Sequence, residues 1–292
     1  MNNKVVVLLG PTGSGKTAWA KDIARKINGK IISADSRQIF RGLDIGTGKD
    51  KSFPQALIDI INPDEPYSVA QFQKDAEDLI NQYLAMKALP MIVGGTGLYI
   101  DALIYGYVIP DLQKDSLKLR ESLEKLSDSK LLDKLKELDP DSALKIDPKN
   151  RRRLIRALEV TMLTKKPFSS LQKKVSSKYQ FLILGIKTDR ETLYAKIDAR
   201  IDQMIKDGLV EEVRTLVKKY GRNTTTFNTI GYKEIIDYID GRQTLKEAIE
   251  KIKFNTHAYV RRQDTWFRRD KNIKWVSTQK EAENKISKFL KP

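Results

Sequence analysis

The chain has 292 residues, with 54 lysines and arginines against 38 aspartates and glutamates, so its formal net charge is +16. Hydrophobic residues make up 40%, enough for a real core and too many for a disordered chain. With no cysteine and one histidine, His257, disulfides, thiolate zinc sites, iron–sulfur clusters, a cysteine nucleophile and a histidine-rich metal centre are excluded, and a Ser–His–Asp triad is disfavoured.

The Met1 end has no long apolar core or small-residue cleavage site, so no signal peptide is expected. No run of about 18 apolar residues occurs, so no transmembrane helix is expected either, and the reading is a cytoplasmic protein.

Lys4–Leu9 (KVVVLL) has the continuous apolar run of a buried parallel strand. A glycine-rich turn follows, then a helical stretch from Lys16 to Ile27. Lys30–Ala34 and Ala56–Ile60 read as the second and third strands. Ser68 is a good N-cap for a helix running to about Met86. Pro90–Val93 reads as a fourth strand, followed by Gly94-Gly95-Thr96-Gly97 and another helix. This β–α alternation predicts an α/β fold with a doubly wound parallel sheet.

The pattern changes near Pro110. From Asp115 to Leu171 there is no convincing strand, and leucines recur at helical spacing, among them Leu123, Leu131 and Leu135. Asp139-Pro140 and Asp147-Pro148 break the stretch into short helices, and Lys165–Lys178 reads as a polar loop. Phe181–Ile186 returns as a strand, the chain is then mostly helical to Arg269, and Ile273–Val276 ends it as a strand. The expected organisation is a core beginning in residues 1–110, a helical insertion over 111–178 and a core continuation over 179–292.

Gly10–Thr17 reads GPTGSGKT and matches G-x-x-x-x-G-K-[ST] between a strand and a helix. Gly10, Gly13 and Gly15 let the loop turn tightly around Pro11, Thr12 and Ser14 and aim its available backbone N–H groups inward. The following helix adds its positive end. Lys16 supplies a point charge for phosphate oxygens, and Thr17 a hydroxyl for Mg2+. The motif predicts a bound di- or triphosphate without naming it. No guanine-reading N-K-x-D occurs, and Ala56–Asp59 (ALID) is only a loose match to a motor ATPase strand. A small-molecule kinase remains open at this point.

Asp35 ends the second strand. In open α/β sheets ligands bind at the carboxyl ends of strands, so Asp35 is expected beside the phosphate loop. Gly94–Gly97 brings Thr96 to the same edge. The arginines cluster as Arg151, Arg152, Arg153 and Arg156, and as Arg261, Arg262, Arg268 and Arg269. The plain reading of the lysine excess is a solvated surface; the arginine clusters fit a polyanion, most simply nucleic acid.

GPTGSGKT, ADSRQIFRGLDIGTGK (34–49), LIDIINPDEPYSVAQF (57–72), VGGTGLYIDALIYG (93–106), RRLIRALEV (152–160), IGYKEIIDYIDG (230–241) and RQDTWFRRD (262–270) follow in order. Together they resemble the bacterial tRNA dimethylallyltransferases. The phosphate loop is widely shared; the combination of DSxQ, GGTGLY, RALEV and RQxTWFR is specific. The resemblance implies a P-loop core with a helical insertion. It also implies transfer of the dimethylallyl group of dimethylallyl diphosphate to N6 of adenine 37, in tRNAs reading codons that begin with U. By matching positions, Asp35 and Thr17 would be the catalytic pair, with Lys16 and Arg200 on the diphosphate. Asp35, Ser36, Arg37 and Gln38, the run Arg152, Arg153, Leu154, Ile155 and Arg156, and Thr96 and Arg120 would touch tRNA. The expected partners are tRNA and dimethylallyl diphosphate, with Mg2+, no membrane and a monomeric enzyme. Phe40, Gln55-Ala56, His257 and Val260 depart from the usual pattern, and none of them removes a catalytic group.

Overall fold

The structure is a computed structural model and describes residues 3–107, 110, 116–171 and 177–291. In chain order it contains β1 (Lys4–Leu9), α1 (Lys16–Lys26), β2 (Gly29–Ala34), β3 (Gln55–Ala56), α2 (Val69–Ala85), β4 (Leu89–Gly94) and α3 (Gly97–Tyr105). Next come α4 (Ser116–Glu124), α5 (Asp128–Leu138), α6 (Pro140–Lys145), α7 (Arg151–Thr164), α8 (Phe168–Leu171) and β5 (Gln180–Ile186). The chain closes with α9 (Arg190–Lys206), α10 (Leu209–Tyr220), a 3-10 turn (Thr225–Asn228), α11 (Tyr232–Ile239), α12 (Leu245–Phe267), β6 (Lys274–Val276) and α13 (Gln279–Leu290).

Two compact units emerge. One comprises Met1–Tyr67, Phe72–Ile100 and Lys178–Pro292; the other comprises Ser68–Gln71 and Asp101–Ser177.

The first unit holds a six-stranded sheet, ordered β3-β2-β4-β1-β5-β6, in which every pairing is parallel. The inner strands β1 and β4 are buried almost throughout. Strands covered on both faces need this near-continuous apolar sequence. One core cluster joins Val6, Leu8, Ile31, Met91, Leu182 and Leu184 to Ala20 and Ile23 of α1 and to Ala282 and Ile286 of α13. A second gathers Ile39, Phe40 and Leu43 with Leu193, Ile197 and Ile201 of α9, Val213 of α10, Tyr232 and Ile235 of α11, and Ile252 and Val260 of α12.

The expected strand Ala56–Ile60 is shorter. Only Gln55–Ala56 pairs, with Ile31 and Ile32. Leu57 and Asp59 stand at φ +61° and +53°, left-handed values that break an extended run. Beyond it, Phe40 and Ile61 form an isolated parallel bridge outside the sheet's strands.

In the second unit, Leu123, Leu131, Leu135, Ile146, Leu154, Ile155, Ala157 and Leu158 form a helical core. The expected loop Lys165–Lys178 contains the short helix α8. Its start is fixed by Asp139, whose carboxylate accepts the Ser169 N–H (2.8 Å) and the Ser169 hydroxyl (2.7 Å). Residues 172–176 of that expected loop lie outside the described residues. Among the described residues no helix is long and apolar enough to cross a membrane.

Candidate active site

The sheet register sets the geometry of the first unit. Leu9 is paired with Gly94, and Ala34 is also paired with Gly94. The loops after β1, β2 and β4 therefore leave from one rung of the sheet, at its carboxyl edge. These loops carry Gly10–Thr17, Asp35–Gln38 and Gly95–Thr96.

The phosphate loop turns through Gly13 and Gly15, both at φ +83°, a conformation L side chains adopt only with strain. Gly15 is the N-cap of α1 and offers no side-chain cap, which leaves the first-turn N–H groups to an anion. The Ser14 N–H donates to Pro11 O (3.2 Å). The buried Ser14 hydroxyl has no hydrogen-bond partner in the protein, an orphan that a phosphate oxygen would satisfy. Lys16 Nζ donates to Pro11 O (3.4 Å). Burial lowers the Lys16 ammonium to about 8, Asp35 opposes that shift, and Arg200 adds to it.

Thr17 stands in the first turn of α1. Among the described residues no three His, Asp or Glu side chains gather as a metal cage. The Thr17 hydroxyl is an oxygen donor of the kind that a hard cation such as magnesium takes.

Asp35 lies just beyond the end of β2, half-buried, with one carboxylate oxygen accepting the Arg37 N–H at 2.9 Å. Its field acts on both Lys16 and Arg200. Thr96 Oγ1 accepts the Ser36 N–H (3.0 Å) and lies 3.3 Å from Ser36 Oγ, so β4's loop fixes β2's loop. The Tyr259 phenol of α12 is partly buried within the field of Asp35. Burial first, and then Asp35, push it up to about 12, so it stays protonated near neutral pH.

Arg200 of α9 donates through Nη2 to Thr47 O at 3.1 Å. Burial lowers its pKa and Asp35 partly restores it. The same carbonyl accepts Gln38 Nε2 at 3.3 Å. Lys16, Asp35, Gln38, Thr96 and Arg200 thus all belong to the loops and helices at this one sheet edge.

Gln263, which no spacing in the sequence singles out, joins the loops of the candidate site. It lies within the RQDTWFRRD run, only 5% exposed. Its Oε1 accepts the Thr12 N–H (3.0 Å), and its Nε2 donates to Gly95 O (2.8 Å). A buried amide in an arginine-rich helix was the available signal. His257 packs face to face on Tyr194, with centroids 4.0 Å apart, and its Nε2 lies 2.8 Å from an Asp198 oxygen.

In the second unit the predicted tRNA run divides by burial. Leu154 and Ile155 pack into the helical core, whereas Arg152 and Arg153 are exposed. Arg151 bridges α7 to α5 through Asp128 (2.5 Å) and the carbonyls of Glu124 and Leu126. Arg156 and Arg120 stand 3.5 and 3.8 Å from the fully buried Glu159. The first turn of α7 holds three arginines and no acid. Cations there oppose the helix dipole, an arrangement that favours an external anion.

A family model described as IPP transferase matches residues 38–270. The chain belongs to the IPP transferase family. A relative from Anoxybacillus flavithermus, described as a tRNA dimethylallyltransferase, is 45% identical over 94% of this chain and 90% of its own length. One of the same description from Thermoanaerobacter sp. is 42% identical over 98% and 97%. Among solved structures, the tRNA delta(2)-isopentenylpyrophosphate transferase of Staphylococcus epidermidis is 37% identical, with a TM-score of 0.72 and 98% of each chain covered. A eukaryotic dimethylallyltransferase, described as acting on tRNA, is 27% identical, with a TM-score of 0.76 over 90% of this chain and 69% of its own. Membership of the IPP transferase family sets aside the small-molecule kinase reading that the phosphate loop alone had left open.

Proposed function

We propose that this IPP transferase is a tRNA dimethylallyltransferase. It moves the dimethylallyl group of dimethylallyl diphosphate to N6 of adenine 37 in tRNAs reading codons that begin with U, releasing diphosphate, as a cytoplasmic monomer. The observation that carries the reading is the pairing on one sheet edge of an uncapped phosphate loop with Asp35, a carboxylate whose field acts on Lys16 and Arg200.

The chemistry follows from the groups present. The adenine amine is a weak nucleophile because its lone pair is delocalised into the ring. Ionisation of the allylic C–O bond supplies a strong electrophile, provided the departing diphosphate is stabilised. Lys16, Arg200 and the first-turn N–H groups of α1 do this. Thr17 would hold a magnesium ion, which when bound neutralises charge on the diphosphate oxygens. The N6 lone pair forms the new C–N bond, the C–O electron pair leaves with diphosphate, and the N6 proton passes to Asp35. The base must leave its stack to reach this edge, which a single-stranded anticodon loop permits at low cost.

Ser36, Arg37, Gln38 and Thr96 are the first unit's proposed RNA contacts; Arg120, Arg152, Arg153 and Arg156 are those of the second. The test is prenyl transfer to tRNA together with ligand-induced thermal stabilisation. Dimethylallyl diphosphate should raise the melting temperature and be consumed with tRNA. Stabilisation by ATP alone, with ATP turnover that Lys16→Ala abolishes, would overturn the reading.

A further inference from the structure

We propose that Glu212, through the segment 44–48 that it holds, is a positioning residue for the prenyl donor and the RNA acceptor together; this rests on the function proposed above. Glu212 lies in the first turn of α10, and its carboxylate takes four donors. Oε2 accepts the N–H groups of Asp44 (3.1 Å) and Ile45 (2.7 Å). Oε1 accepts the Gly46 N–H (3.2 Å) and the Tyr232 phenol (2.6 Å). Tyr232 is fully buried. Burial and the Glu212 charge raise its pKa, so the phenol remains a donor. Hydrogen bonds to an ionised acceptor are the shorter and stronger kind.

The segment held in this way presents one atom to both sides of the reaction. The Thr47 carbonyl accepts Arg200, on the diphosphate side, and Gln38, on the RNA side. A carbonyl has two lone pairs, so these two donors fill it. The rest of the segment is tied down independently. Thr47 Oγ1 donates to Leu43 O (2.5 Å). The fully buried Lys49 ammonium donates to Phe40 O (2.9 Å), Asp44 (2.8 Å) and Asp59 (2.6 Å). The fold would therefore keep the segment in place without Glu212, but not with the same angular setting of the Thr47 carbonyl. Small misplacements of substrate-holding groups carry large functional consequences. Glu212 belongs to neither proposed binding set; it acts through the carbonyl that registers Arg200 and Gln38 against each other.

The test uses Glu212→Gln and the milder Tyr232→Phe, each measured on the full chain. Inorganic pyrophosphate and an anticodon stem-loop RNA are titrated separately, with circular dichroism and thermal melting alongside. Both dissociation constants should rise in parallel, by roughly fivefold or more for Glu212→Gln, and by less for Tyr232→Phe. A lowered melting temperature with both constants unchanged would make Glu212 merely structural. A change confined to one ligand would remove the shared role. If Glu212→Gln does not fold, Tyr232→Phe decides between the same outcomes. A parent enzyme that binds neither probe would instead count against the function itself.

Discussion

Gln263 accepts the backbone N–H of Thr12 at 3.0 Å, a contact between residues 251 apart in the chain. Its other amide atom donates to Gly95 O, so one buried side chain clamps the phosphate loop to the loop after β4. Removing a buried partner leaves the other group desolvated, at about 1–3 kcal/mol for each orphaned group. Gln263→Met keeps the volume and loses both bonds. Gln263→Glu keeps an acceptor for Thr12 and sets an oxygen against the Gly95 carbonyl. Both variants should lower the unfolding free energy and kcat/KM for prenyl transfer. Steady-state kinetics equal to the parent in a folded variant would deny the clamp a functional role.

Asp35→Ala should fold normally and lose roughly 10²–10⁴-fold in turnover, the span expected for a general base. RNA affinity should largely persist, because the neighbouring contacts remain. Single-turnover transfer, with RNA binding measured in parallel, checks this. Turnover near the parent value would take the proton-accepting role away from Asp35.

Lys16 gives a pH signature. Its ammonium is lowered to about 8, chiefly by burial, so the free protein loses this charge as pH rises through that value. Diphosphate affinity should therefore fall above about pH 8, by up to tenfold per pH unit at the limit. The decline should be absent in Lys16→Met. The sign for stability is opposite to that of a paired lysine. The folded pKa lies below the unfolded one, so the charged form opposes folding at pH 7, and this opposition fades as pH rises from about 8 past the unfolded value. Lys16→Met should thus melt higher than the parent at pH 7 while binding diphosphate more weakly.

The arginines of α7 should separate by environment. Arg152 and Arg153 are exposed, and each alanine substitution should reduce the log–log salt slope of RNA affinity by about 0.7–0.9. Arg156 faces the buried Glu159 at 3.5 Å. Removing it strips a counter-charge from a fully buried carboxylate. Arg156→Ala should therefore lower the melting temperature with a smaller effect on the slope. Unchanged slopes in all three variants would move the RNA surface elsewhere, with Arg261, Arg262, Arg268 and Arg269 next.

Gly48 stands at φ +57°, and a Cβ added there would land on the Arg200 guanidinium. Gly48→Ala should displace Arg200 directly and so weaken pyrophosphate binding more than stem-loop RNA binding, which shifts only through the neighbouring Thr47 carbonyl. Paired titrations of the two ligands check the contrast. Equal pyrophosphate affinity would show that Arg200 does not hold the diphosphate.

Features set by neighbouring residues are legible in the sequence itself. KVVVLL and GPTGSGKT are contiguous, so a buried strand, a glycine turn and a helix N-terminus follow from local sterics and burial. Asp35 and Thr96 could be placed at one sheet edge because parallel strands present their carboxyl ends together. ALIDI is as apolar as a strand, which predicts a longer third strand, and the left-handed turns at Leu57 and Asp59 that cut it short have no glycine to announce them.

What only the tertiary structure decided are pairings between distant residues. Thr12 meets Gln263, Asp44 meets Glu212 across 168 positions, and Thr47 meets Arg200 across 153. Each depends on how α9, α10 and α12 settle on their shared apolar cluster. That packing is fixed by the combined shape of many side chains, and no local spacing encodes it. The same reason separates exposed Arg152 and Arg153 from buried Leu154 and Ile155. Their order in the chain is continuous, and only the core beneath α7 assigns them opposite environments.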